Sequence, residues 1–152
     1  CTGGGFTIAG CCDLRIGAAN ARLGVPIART LGNCLSMSNY ARMVALLGPS
    51  RVKDIIFTAR LIHAEEASKI GLLSEVLPDY DSLQRRANEL ARTVASHAPL
   101  TLRVTKEALR RIRERMSPEE DRDLILTCYM SRDFREGMEA FLNKRHPIWT
   151  GT

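Results

Sequence analysis

Apolar residues recur along this chain mostly at helical spacing. Tyr40, Met43, Val44 and Leu47 fall at i, i+3, i+4 and i+7, the stripe of a helix with one buried face, and Val52, Ile55, Ile56 and Ala59 form a second. Gly48-Pro49 separates the two, and Ser50 is the expected cap of the second. Upstream, Gly3-Gly4-Gly5 followed by Phe6, Ile8 and Ala9 predicts a helix that ends at Gly10. Leu14, Ile16 and Ala18 alternate with Arg15 and Gly17, which predicts a short strand buried on one face. His63-Ala64-Glu65-Glu66 predicts a short helix that stops at Gly71, and residues 72–77 a strand closed by Pro78-Asp79.

From Asp81 onward the pattern is helical. Leu83, Ala87, Leu90, Ala91 and Val94 form one stripe, and Leu102, Leu109, Ile112 and Met116 the next, with Ala98-Pro99 as a hinge between them. Ser117-Pro118-Glu119-Glu120 combines a capping Ser, a Pro at the first helical position and a Glu three residues after the Ser, a helix-start signature. Asp133-Phe134-Arg135-Glu136 offers another start, leading to a stripe of Phe134, Met138, Phe141 and Leu142. The fold class is therefore α/β, with a mixed strand-and-helix part over 1–78 and an all-helical part over 79–152.

Composition narrows the function classes. Apolar residues make up 45% of 152, enough for a core, and no apolar run approaches the roughly 20 residues of a membrane helix. No membrane partner is expected. Five cysteines (Cys1, Cys11, Cys12, Cys34, Cys128) have no metal-type spacing and read as thiols in a reducing, cytoplasmic setting, with no metal site. The net charge of +5 suits nucleic acid, or a polyanionic small molecule such as a nucleotide or coenzyme A. Nucleic acid is not the expected partner, because basic residues such as Arg103, Lys106, Arg110, Arg111, Arg113 and Arg115 are interleaved with Glu107 and Glu114 and aromatics are scarce. His63, His97 and His146 have no Cys or Asp arrangement suggestive of a triad or metal centre. The chain opens on Cys1, and residues 1–5 read as the middle of a loop, so a longer parent chain is expected.

Gly3-Gly4-Gly5 is the feature that carries chemistry. Amides at a helix start have no intrahelical acceptor and lie at the positive end of the dipole, where they can hold an anion or a carbonyl oxygen becoming an enolate. A tight packing turn is the other reading. Neither a phosphate-binding loop nor a dinucleotide fingerprint is present.

Taken in order, the segments resemble the crotonase, or enoyl-CoA hydratase/isomerase, superfamily. The resemblance rests on Gly3-Gly4-Gly5 with Cys12-Asp13-Leu14-Arg15-Ile16 behind it, then Ala21-Arg22-Leu23-Gly24-Val25-Pro26 and Phe57-Thr58-Ala59-Arg60. It continues through Ala64-Glu65-Glu66-Ala67, Ile70-Gly71-Leu72 and Glu136-Gly137-Met138-Glu139-Ala140-Phe141-Leu142 with Lys144-Arg145. It implies a spiral core of strand-helix turns over 1–78 that binds an acyl-CoA thioester, and a helical oligomerisation region over 79–152 that builds a homotrimer or dimer of trimers. Gly4 would supply one amide of a two-amide oxyanion hole, the other lying in a first half that this chain lacks. Gly3 and Gly5 would flank the substrate, and Phe141 and Lys144 would reach the CoA of a neighbouring subunit. Coenzyme A enters as part of the substrate, and no separate cofactor is implied.

Two positions depart from the family pattern. Its hydratases carry a glutamate two residues after the glycine triple and another directly after the Pro, where this chain has Thr7 and Ile27. Neither shuttles protons near neutral pH, so two-glutamate hydration is not expected. The loop over 28–38 also differs and is about one residue longer than the family's, with Arg29, Asn33, Cys34 and Ser36 as its polar candidates. Two readings follow: an acyl-CoA enzyme with isomerase- or decarboxylase-type chemistry, or a non-catalytic acyl-CoA-binding or oligomer-partner member.

Overall fold

The fold is taken from a computed structural model that describes residues 1–116 and 122–152. Helix α1 (Gly4–Cys11) leads into strand β1 (Ile16–Ala18), then β2 (Arg22–Leu23), α2 (Ile27–Thr30), α3 (Met37–Leu47), α4 (Pro49–Thr58), β3 (Ile62–His63), α5 (Ala64–Lys69) and β4 (Glu75–Leu77). Four helices follow: α6 (Tyr80–Ala95), α7 (Pro99–Met116), α8 (Arg122–Tyr129) and α9 (Arg132–Leu142). Strands β1 and β4 pair in parallel, Gly17 opposite Val76, while β2 and β3 pair antiparallel, Leu23 opposite Ile62.

The hydrophobic core runs from Phe6 to Leu73. Val25, Ile55 and Ile62 are its most deeply buried large side chains, and Met43, Leu47, Val52 and Ile56 close it with the two expected stripes of α3 and α4. Beyond Pro78, among the described residues, only Gly137 and Ala140 are buried. The expected stripes of α6 and α7 are formed: Leu83, Leu90 and Val94 of α6 are half-buried, whereas Leu109 and Ile112 of α7 are exposed and left uncovered by the described residues of this chain. The start expected at Ser117-Pro118-Glu119-Glu120 lies outside the described residues, as does the side chain of Met116.

Several local expectations are corrected. Gly48, not Ser50, stands at the N-cap of α4, because Pro49 occupies the first helical position and pulls Ser50 inside the first turn. Leu14 is exposed because it precedes the paired stretch of β1, whereas Gly17 is buried against Leu73. Residues 72–74 form a turn rather than strand: the Leu72 and Leu73 amides donate to Ala67 O and both side chains enter the core. Helix α9 starts at Arg132, one residue before the expected Asp133, with Ser131 as its cap: the Ser131 hydroxyl accepts from the Phe134 amide at 3.0 Å. Of its expected stripe, Phe134 is half-buried against Tyr129, but Met138, Phe141 and Leu142 are 45%, 67% and 75% exposed, and the small residues Gly137 and Ala140 are the buried ones.

The C-terminal tail folds back onto α9. Asp133 accepts from the amides of Thr150 and Gly151 at 2.7 and 2.8 Å, and Glu136 accepts from the Ile148 amide at 2.9 Å and pairs with Arg145. Arg145, and secondarily the Ile148 amide, hold the Glu136 carboxyl down at about 2, and the two tail amides lower Asp133. A carboxylate with a depressed native pKa contributes stability above its ordinary value and loses it as pH falls toward the native one. Docking is therefore expected to weaken between about pH 4.3 and pH 2. Trp149, the single tryptophan, sits against Gly32 and reports it. Its emission should shift red over that window, and Glu136→Gln should shift it already at pH 7 with far-UV circular dichroism unchanged. A Glu136→Gln curve superimposable on the parent would contradict the assignment.

Candidate active site at the start of helix α1

The segment before α1 runs beside the chain after β2. Thr2 forms a parallel bridge with Gly24, the Gly3 amide donates to Gly24 O at 2.9 Å, and the Gly24 amide donates to Cys1 O at 3.3 Å. Gly3 then turns into the helix with φ 55° and ψ −124°, a conformation that a side chain would strain. The Gly5 amide is engaged as well, donating to Thr2 O at 3.1 Å. Gly4 stands between them at the first helical position, where no carbonyl one turn earlier can accept its N–H. A Cβ built on Gly4 meets nothing within 4 Å, so the space in front of this residue is open.

That space belongs to a groove of about 430 Å³. Gly3, Gly4 and Thr7 line it from α1, Val25, Ile27 and Leu31 from the segment around α2, and Asn33, Cys34, Leu35, Ser36 and Asn39 from the loop before α3 and its first turn. Ile125 and Tyr129 of α8 complete it. The structure thus brings Gly4 together with Thr7 and Ile27, which are 20 residues apart, and with three of the four polar candidates of the variant loop. Arg29 does not line it, nor do Gly5, Phe141 and Lys144. Of the glycine triple, Gly3 and Gly5 use their amides to hold the turn, and Gly4 is the one at the first helical position.

The chemistry of the lining follows from its side chains. The Thr7 hydroxyl donates to Gly4 O at 2.7 Å, so its proton is already engaged. Ile27 is 7% exposed and apolar. Cys34 and Tyr129 are the ionisable side chains among the described lining residues, and no carboxylate is among them. The Cys34 thiol contacts Leu124 O at 3.7 Å, and no disulfide joins the five cysteines. Behind the loop, Tyr40 accepts from the Leu35 amide at 3.5 Å, and burial pushes its phenol above the ordinary range. No cluster of three His, Cys, Asp or Glu that could hold a metal occurs among the described residues, and no helix there is long and apolar enough to cross a membrane.

Of the lining residues that the sequence reading did not name, Ile125 and Tyr129 lie farthest along the chain from the rest. Neither belongs to an apolar stripe or a motif, and Tyr129 meets its partner Asn33 across 96 positions of chain, at 3.2 Å. No local signal could have placed them.

Known proteins supply the frame for this geometry. The chain is 36% identical over 149 residues to crotonyl-CoA hydratase of Syntrophomonas wolfei, covering 94% of this chain and 55% of that protein. It is 33% identical over 152 residues to 2,3-dehydroadipyl-CoA hydratase of Escherichia coli K12, covering 98% of this chain and 59% of that one. Among solved structures, a methylmalonyl-CoA decarboxylase in complex with 2-nitronate-propionyl-CoA superposes with a TM-score of 0.91 at 30% identity, over 99% of this chain and 59% of the other. The architecture is therefore that of the crotonase-fold proteins, and the chain spans little more than half the length of these relatives. The enoyl-CoA hydratase/isomerase family model matches residues 1–152 throughout, and the chain belongs to that family.

Proposed function

We propose that this chain is the later part of an acyl-CoA-processing enzyme that stabilises a thioester enolate with the Gly4 amide, and that its reaction needs no carboxylate base. The observation that carries the reading is the groove itself. An amide without an intrahelical acceptor opens onto it beside Thr7 and Ile27, which by the resemblance take the places of the hydratases' glutamates. Loss of CO2 from the carbon next to a thioester generates the enolate without any base, so decarboxylation fits this lining better than addition of water. A double-bond shift would need a proton acceptor contributed from elsewhere. The likeness to a methylmalonyl-CoA decarboxylase supports the same choice.

The helical part fits a role in assembly. Leu100, Val104, Leu109 and Ile112 of α7 and Met138, Phe141 and Leu142 of α9 are exposed, which suits burial between subunits of a homotrimer or dimer of trimers. Phe141 and Lys144, outside the groove of their own chain, would then serve a neighbour's CoA.

The test is a product-detecting assay of the full-length protein on methylmalonyl-CoA, 3-enoyl-CoA and crotonyl-CoA esters. CO2 release or double-bond migration without hydration of crotonyl-CoA is expected. Efficient hydration would overturn the base-free reading, and binding without any turnover would make the protein a non-catalytic acyl-CoA binder.

A further inference from the structure

Two cysteines far apart in sequence converge where the loop between α2 and α3 meets α8. Cys34 lies in that loop, and its thiol reaches the Leu124 carbonyl oxygen at 3.7 Å. In helix α8 that carbonyl accepts the N–H of the residue four positions on, which is Cys128. With that bond at its usual ~2.9 Å, Cys34 Sγ lies at most about 7 Å from the Cys128 nitrogen. The Cα–Cβ bond of a helical residue tilts toward the helix N-terminus, so the Cys128 side chain leans over the turn that carries Leu124. Tyr40 of α3 marks the same spot: burial foremost, and then the nearness of Cys34 and of Cys128, push its phenol up.

A covalent tie at this point would matter to α8. None of its residues is buried, so the helix is held by contacts at its surface. It nevertheless supplies Ile125 and Tyr129 to the groove, while Cys34 lines the groove from the loop. Cys34 and Cys128 are both half-buried, and the groove gives a small oxidant access to the Cys34 sulfur.

We infer that Cys34 and Cys128 form a dithiol site that a hydroperoxide oxidises to a disulfide, clamping α8 to the loop wall of the groove. The Cys34 sulfur attacks one peroxide oxygen, the O–O bond breaks, water or an alcohol leaves, and Cys34 becomes a sulfenic acid. The Cys128 thiolate then attacks that sulfur, the S–S bond forms and the oxygen departs as water. Two electrons pass from the pair of sulfurs to the peroxide, and a thiol reductant reverses the change. Residues 31–36 belong to no helix or strand, which gives Cys34 the backbone freedom to settle at the roughly 4.4–6.8 Å Cα separation of a disulfide. The inference concerns the walls of the groove and stands whatever ligand the groove takes.

Hydrogen peroxide treatment of the full-length protein, followed by thiol alkylation and peptide mapping without reductant, tests this. A peptide pair joined through Cys34 and Cys128 is expected in most molecules, and dithiothreitol should abolish it. The amides of α8 should exchange with deuterium about 10-fold more slowly in the oxidised protein, because opening the helix then has to carry the loop with it. Cys34→Ser and Cys128→Ala should each remove that slowing, and Cys128→Ala should leave a sulfenic acid on Cys34 that dimedone traps. Circular dichroism checks that both variants fold, and the mapping of the parent stands without them. Peptides joining Cys34 or Cys128 to Cys1, Cys11 or Cys12 instead would overturn the inference. So would thiols that remain alkylatable at both positions after peroxide, or a slowing of α8 exchange that survives either substitution.

Discussion

Replacing Gly4 with proline in the full-length protein is expected to lower turnover of its acyl-CoA substrate by about 100- to 1,000-fold without unfolding it. Proline removes one hydrogen-bond donor, the amide aimed at the developing enolate oxygen. It is tolerated at the first position of a helix, which is where Gly4 stands, because that amide has no intrahelical acceptor to lose. Its demand on the preceding residue is met too. Proline favours an extended predecessor, and Gly3, at φ 55° and ψ −124°, occupies the mirror image of such a conformation, open to an achiral residue. Gly4→Ala is the companion measurement. It keeps the amide, adopts an ordinary helical conformation, and puts a methyl into space where nothing lies within 4 Å. The loss in Gly4→Pro beyond that in Gly4→Ala isolates the N–H. The loss should appear in kcat, because the charge that the amide stabilises develops only in the transition state. Equal activity in the two variants would remove Gly4 from the mechanism.

The contrast between what the sequence disclosed and what it hid follows from how local each feature is. The stripes of α3 and α4 were legible because each helix buries one face in the core, and periodicity reports burial. The glycine turn was legible for the same reason: a positive φ at Gly3 and an open first-turn amide at Gly4 are properties of four consecutive residues. The segment Phe57-Thr58-Ala59-Arg60 carried the resemblance, and the structure gives it a packing role. Ala59 turns left-handed at φ 49° inside the core, and Arg60 bridges Asp54 and Glu66 at 2.6 Å each. Apolar spacing could not say what a helix packs against. It marked Met138, Phe141 and Leu142 as the inner face of α9, yet these are exposed and small residues make the contact. Tyr129 was invisible because its significance lies in Asn33, on the far side of the chain.

Gly137→Ala tests that small-residue contact, and it is expected to destabilise the protein by about 2 kcal/mol. The sign is decided by two opposing effects. Alanine is favoured over glycine inside a helix by up to about 1 kcal/mol, so an unhindered site would gain stability. At Gly137 the added Cβ would lie 2.5 Å from Leu31 O, 2.7 Å from Leu31 C and 2.9 Å from Leu31 Cα. These are backbone atoms of the residue that ends α2, and no side-chain rotation can relieve them. Helix α9 must move off α2, which is why the cost exceeds the propensity gain. Gly10 in α1 provides the control, since a Cβ there meets nothing within 4 Å, and Gly10→Ala should be neutral or stabilising. Chemical denaturation of both variants, with the slope unchanged, reads the difference as a shift in midpoint. The same displacement should reach the groove, because Leu31 lines it and Phe134 of α9 holds the Tyr129 ring. Gly137→Ala should therefore weaken acyl-CoA binding even at temperatures where the protein remains folded. A rise in stability for Gly137→Ala would mean that α9 does not pack on α2 at this distance, and the groove wall formed by α8 would lose its support.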